Sequence, residues 1–177
     1  VGAEDALLRH SFASGTHALT IALFGILRPG DRMLCITGRP YDTLLGVLGH
    51  EGHSDGSLAD FGIGYDEAPL LPDGGFDDDL MGQKLKAGPC RMVYIQRSRG
   101  YRLRASIPVE KIGQAARFVK EISPETIVLV DNCYGEFAER EEPCEAGADL
   151  IAGSLIKNPG GGVAPSGGYI AGKRELV

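Results

Sequence analysis

The sequence predicts an α/β fold of three layers, αβα, with a mostly parallel sheet between two layers of helices. Three observations predict it. Apolar runs of strand length alternate with helix-period segments from one end of the chain to the other. Thr126-Ile127-Val128-Leu129-Val130 is continuous and β-branched, as befits a strand covered on both faces. The 177 residues are 43 % hydrophobic and 24 % charged, enough apolar material for a core and too much for general disorder.

The elements follow in order. After Ser14-Gly15-Thr16-His17, the residues Ala18, Leu19, Ala22, Leu23 and Ile26 mark the buried face of a helix that Pro29-Gly30-Asp31 ends. Residues 32–36 read as a short strand, 41–48 as a helix, and 49–55 as a loop rich in Gly, His, Ser and Asp. A strand is expected over 61–68. A helix is expected over 77–86, opened by Asp77, Asp78 and Asp79, whose carboxylates suit the positive N-terminus of a helix. Residues 91–96 read as a buried strand. Pro108 then starts a helix with Val109, Ile112, Ala116 and Val119 on its apolar face. Beyond 126–130, weaker strands are expected at 149–153 and 168–171. No internal repeat or low-complexity linker marks a second domain.

Several classes of function are set aside. A net charge of -6 argues against a nucleic-acid or anionic-membrane surface as a partner. Cys35, Cys90, Cys133 and Cys144 form no Cys-x-x-Cys pair and have no His at ligand spacing, so no metal site is expected. In a chain this long they read as reduced thiols of a cytoplasmic protein. No apolar run approaches the ~18 residues of a membrane span, and no signal peptide opens the chain. The chain opens at Val1 without an initiator Met, and the expectation is a fragment of a larger domain, incomplete at both ends.

In such a sheet, ligands bind beyond the carboxyl ends of the strands, and three polar clusters fall there. Ser14-Gly15-Thr16-His17 precedes a helix, where free N–H groups and the dipole suit a phosphate; a plain N-cap is the alternative. Asp131-Asn132-Cys133-Tyr134-Gly135-Glu136 follows the best strand, which aims Asp131 at a ligand crevice unless it serves as a cap or in a loop ion pair. Lys157 stands between a weak strand and Gly160-Gly161-Gly162, with backbone room for a bulky group on its amine. A phosphate-binding lysine is the alternative, although the Gly-x-x-x-x-Gly-Lys-[Ser/Thr] order is absent. Together the three suit pyridoxal phosphate, which needs an amine for its Schiff base, a carboxylate on its pyridine nitrogen and an anion site for its phosphate.

Three longer stretches carry a resemblance. Ile95-Gln96-Arg97-Ser98-Arg99-Gly100-Tyr101, Val130-Asp131-Asn132-Cys133-Tyr134-Gly135-Glu136-Phe137 and the segment from Ala152 through Lys157 to Gly162 resemble the methionine γ-lyase or aluminium-resistance family. These are cystathionine β-lyase-like, pyridoxal-phosphate-dependent enzymes of the aspartate-aminotransferase superfamily. The resemblance covers the chain from about Phe12 to its end, and it implies that residues 1–177 are the central part of a fold type I, cofactor-binding large domain. By this resemblance Lys157 attaches the cofactor and moves protons at the substrate Cα. Asp131 keeps the ring nitrogen protonated. Ser154 and Ser14-Gly15-Thr16 hold the phosphate, Tyr41 stacks on the ring and assists the leaving group, and Tyr134 bonds the ring's phenolic oxygen.

The implied activity is carbon–sulfur elimination, of methionine γ-lyase or cystathionine β-lyase type, on a sulfur-containing amino acid. An aminotransferase or an inactive scaffold are the alternatives, since one set of parts serves many reactions. The implied assembly is a homodimer or homotetramer. Two departures stand out. Ile156 occupies the place where well-studied transsulfuration enzymes carry Ser or Thr, and Arg97-Ser98-Arg99 replaces an Asn-bearing loop. Either arginine meets an anion or caps a neighbouring helix. His17 is placed near the cofactor and His10, His50 and His53 in loops; the acidic run 139–142 is expected to be a solvated face.

Overall fold

The computed structural model describes residues 1–50 and 55–177. The elements are β1 (Asp5–Arg9), α1 (Gly15–Ile26), β2 (Arg32–Cys35), α2 (Asp42–Leu48), β3 (Gly64–Glu67), α3 (Asp78–Lys86), β4 (Met92–Gln96), α4 (Val109–Ile122), β5 (Ile127–Asp131), β6 (Leu150–Ser154) and β7 (Gly168–Gly172). They build one seven-stranded sheet in the order β1-β7-β6-β5-β4-β2-β3. From β6 to β3 every pairing is parallel; β7 runs antiparallel to both β6 and β1.

Alternation along each strand makes two cores. Met33, Met92, Tyr94, Leu129, Leu150 and Ile170 point to one face, where α1 and α2 cover them with Leu19, Leu23, Leu44 and Leu45. Leu34, Val93, Ile95, Val128, Val130 and Ile151 point to the other, under α3 and α4 with Met81, Leu85, Ile112 and Val119. Strands covered on both faces explain the unbroken apolar runs in the sequence. Each fully buried Leu, Ile or Val contributes about 1.5–3 kcal/mol of burial.

Three sequence expectations are corrected. β1 went unanticipated because Asp5-Ala6-Leu7-Leu8-Arg9 is mostly exposed and becomes a strand only through its partner β7. The strand expected over 61–68 shortens to Gly64–Glu67, because Phe61 and Gly62 turn back on Ser57, Leu58 and Ala59. The run 139–142 is not simply solvated: Glu142 is buried and accepts from Asn132 and from the Phe137 N–H, and Glu139 pairs with Arg97 at 2.6 Å. His53 and most of the loop expected over 49–55 lie outside the described residues. The four cysteines are free thiols, and among the described residues no helix is long and apolar enough to cross a membrane.

Candidate active site

The carboxyl ends of β4, β5 and β6 converge on one side of the sheet, beneath the start of α1. Register places Gln96 opposite Asp131, the last residues of β4 and β5, and Asp131 opposite Ala152, two residues before the end of β6. A cavity of about 320 Å³ opens there, lined by Thr16, Tyr41, Gln96, Asp131, Cys133, Tyr134 and Lys157 among others. A groove of about 370 Å³ between α3 and α4 is larger, but it gathers no strand-end polar group.

Asp131 is 2 % exposed. Its Oδ1 accepts from the Cys133 N–H at 3.1 Å and its Oδ2 from the Tyr94 hydroxyl at 3.2 Å. Burial raises its pKa, although Cys133, Lys157 and Tyr94 favour the carboxylate. Lys157 leaves the end of β6 through a short turn, its N–H reaching the Ser154 carbonyl at 3.4 Å. Its Nζ lies 4.2 Å from the centre of the Tyr134 ring, a cation–π contact. Burial acts to lower the Lys157 pKa, yet Cys133 and Asp131 beside it outweigh that and raise it. Tyr134 holds this position with a left-handed backbone, φ 68°, which a tight turn after β5 imposes.

Ser14 caps α1, its hydroxyl accepting from the His17 N–H at 3.1 Å. The first intrahelical bond runs from Ala18 N–H to the Ser14 carbonyl, so the N–H groups of Gly15 and Thr16 precede the ladder. Gly15 is wedged against the end of β6: a Cβ there would lie 3.1 Å from both Ser154 Cβ and Cys133 Sγ. Among the described residues, Ser154 Oγ is buried without a hydrogen-bond partner, as is Glu136 Oε2. Tyr41 precedes α2; its hydroxyl meets Thr16 Oγ1 at 3.1 Å and its N–H donates to Gln96 Oε1 at 3.0 Å. Burial, then the charge of Asp131, raise the Tyr41 pKa.

Of the residues singled out in the sequence, Thr16, Tyr41, Asp131, Tyr134 and Lys157 line one cavity, while Gly15 and Ser154 abut each other behind its wall. Ser14 is turned to capping, and exposed His17 accepts from the Ala13 N–H at 3.1 Å. Arg97 stays out of this cavity: buried, it binds Asn132 Oδ1 at 2.6 Å and the Gly135 carbonyl at 2.9 Å, pinning the turn after β5. Arg99 lines a smaller recess beside Tyr41. Sequence reasoning missed Tyr94, Gln96 and Cys133. Gln96 ends a predicted strand and Cys133 lies in the polar cluster that follows the best one, so these two were signalled and Tyr94 was not.

The sequence profile of the methionine gamma-lyase family matches residues 1–177. The Bacillus subtilis protein YnbB is 52 % identical over 177 residues, which is 99 % of this chain and 42 % of that protein. A Listeria innocua structure, provisionally described as a cystathionine β-lyase involved in aluminium resistance, is 58 % identical with a TM-score of 0.95, covering 99 % of this chain and 43 % of its own. A carbon–sulfur lyase involved in aluminium resistance from Clostridium novyi is 48 % identical, TM-score 0.95, over 99 % of this chain and 42 % of its own. The chain thus spans less than half the length of these relatives. The fold extends to a pyridoxal-5'-phosphate-dependent protein of Escherichia coli, YhfS, at 17 % identity and a TM-score of 0.71. Because the family profile matches this chain over residues 1–177, the chain belongs to the methionine gamma-lyase family.

Proposed function

We propose that this chain is the cofactor-binding part of a pyridoxal-phosphate-dependent carbon–sulfur lyase that acts on a sulfur-containing amino acid. The observation that carries the reading is one cavity holding Lys157 Nζ and the buried Asp131 carboxylate beside the start of α1. The residues present fit the cofactor. Ser154 Oγ is a buried hydroxyl without a partner among the described residues, next to first-turn N–H groups that precede the helix ladder. When bound, pyridoxal phosphate supplies an aldehyde that takes up amines and a protonated ring that withdraws electrons from the substrate Cα.

The chain's own residues do the rest. Lys157 Nζ would carry the cofactor and, once displaced from it by the substrate amine, would take the proton from the substrate Cα as a neutral general base. Asp131 accepts from the ring nitrogen and keeps a proton there. Gly15 and Thr16 N–H, with Ser154 Oγ, hold the phosphate. Tyr41 covers the ring, its hydroxyl fixed by Thr16 and its backbone by Gln96. Tyr134, whose ring faces Lys157 Nζ, orients the amine.

The names of the close relatives support carbon–sulfur cleavage as the reaction class. Product analysis of the full-length protein with methionine, cystathionine and cysteine tests it. Release of a 2-oxo acid with ammonia and a thiol is expected. Stoichiometric amino transfer to a second 2-oxo acid overturns the lyase reading, and failure to acquire a visible absorbance band with the cofactor overturns the enzyme reading altogether.

A further inference from the structure

Tyr94 is fully buried in the middle of β4, on the face covered by α1 and α2. Its register partner is Leu129, two residues before Asp131, so its ring runs diagonally toward the end of the neighbouring strand. There its hydroxyl donates to Asp131 Oδ2 at 3.2 Å. A phenol this deep needs an acceptor, and Asp131 provides it. The Cys133 N–H holds the other oxygen at 3.1 Å. Two donors, a side chain on one oxygen and a backbone group on the other, fix the plane of the carboxylate. Each oxygen keeps a lone pair for a donor in the cavity that Asp131 lines.

We propose that Tyr94 is a positioning residue for Asp131: its hydroxyl orients the carboxylate and favours its ionised form, so that Asp131 meets the cofactor ring nitrogen as a charged acceptor. The inference rests on the cofactor reading above and assigns a task to a side chain two shells from the substrate. The groups facing Asp131 are Tyr94 from β4, Cys133 and Glu136 from the loop after β5, Lys157 from the loop after β6, and Tyr41 from the start of α2. Of the two tyrosines, Tyr94 is the one whose hydroxyl donates to Asp131, and its replacement by Phe keeps the ring's packing while deleting that donor.

The experiment compares the full-length wild type with Tyr94→Phe, in apo and cofactor-loaded forms. In the apo proteins, melting temperatures are measured from pH 5 to 9. A hydrogen bond to a carboxylate is stronger than one to a carboxylic acid, so the deficit of Tyr94→Phe is expected to widen as pH rises. Lost packing alone gives a constant deficit. In the loaded proteins, an absorbance titration is expected to show the acid-side transition of the bound cofactor moved upward by about one pH unit, the scale of one charge-assisted hydrogen bond. A constant apo deficit, or an unmoved transition, overturns the inference alone. A wild type that binds no cofactor overturns the reading on which it rests, and does so visibly in the same titration.

Discussion

Asp131 combines a cost with a use. Its pKa is raised by burial, so between its ordinary 3.8 and its folded value the native state holds a proton that the unfolded chain has released. The sign is therefore opposite to that of an ion-paired carboxylate: this group's contribution to apo stability falls as pH rises through the window. Asp131→Asn is expected to raise the apo melting temperature at pH 7–8 by a few degrees, on the order of 1 kcal/mol. The same variant should retain bound cofactor but lose on the order of 10²–10³ in kcat, the scale of one electrostatic partner lost in a transition state. Scanning calorimetry and steady-state assays check the two halves, and a wild-type rate would remove the role assigned to Asp131.

Lys157 behaves differently. Its raised pKa keeps it an ammonium at neutral pH, so cofactor uptake by the apo protein should accelerate as pH rises, read from the growth of the visible band. Lys157→Ala should abolish that band. Lys157 and Asp131 were legible in the sequence because a polar residue between an apolar strand and a loop has few structural reasons to be there. Tyr94 was not, because its hydroxyl lies inside an apolar run and its partner depends on parallel strand register, which no local pattern encodes.

At the scale of elements, the strands and helices with both a period and a punctuation signal were readable. α4 shows this: Pro108 precedes it and Val109, Ile112, Ala116 and Val119 are buried as the spacing requires. β1 was hidden because its pairing with β7 supplies what its own residues lack. That pairing also constrains Gly172, which lies between Asp5 on one side and Leu150 on the other. A Cβ there would collide with the Asp149 carbonyl, a backbone atom that cannot step aside. Gly172→Ala is expected to destabilise by about 1–3 kcal/mol, the range for overpacking. Gly25 in α1 has open space around it, so Gly25→Ala should stabilise by about 0.5–1 kcal/mol through helix propensity. Denaturant titration of both variants checks the contrast. Asp149 itself ties three elements together, taking Lys120 of α4 and Lys173 after β7 at 2.7 Å each and the Val128 N–H of β5 at 2.8 Å. Its pKa is lowered by these partners against the cost of burial, so its contribution is present above 3.8 and lost as pH falls through its folded value.

At the scale of the whole molecule, large apolar side chains stand exposed in the loops after β4 and β5, on the cavity side of the sheet. Tyr101, Leu103, Tyr134 and Phe137 are 89 %, 102 %, 62 % and 69 % exposed in this chain. Large apolar groups at that density call for cover. The full-length protein is expected to be at least a homodimer, measured by light scattering across a dilution series; a monomer with full cofactor occupancy and activity would remove the expectation. The two margins of the sheet narrow how copies can meet. At one margin β1 presents Asp5 and Arg9 at its ends; at the other, β3 carries Asp66 and Glu67, with Lys84 folded over Asp66 at 2.6 Å. Charged, short outer strands of this kind resist annexing a foreign strand. Pairing of a further strand is thus disfavoured at both margins of the sheet, and the expected association falls to its loop-rich end.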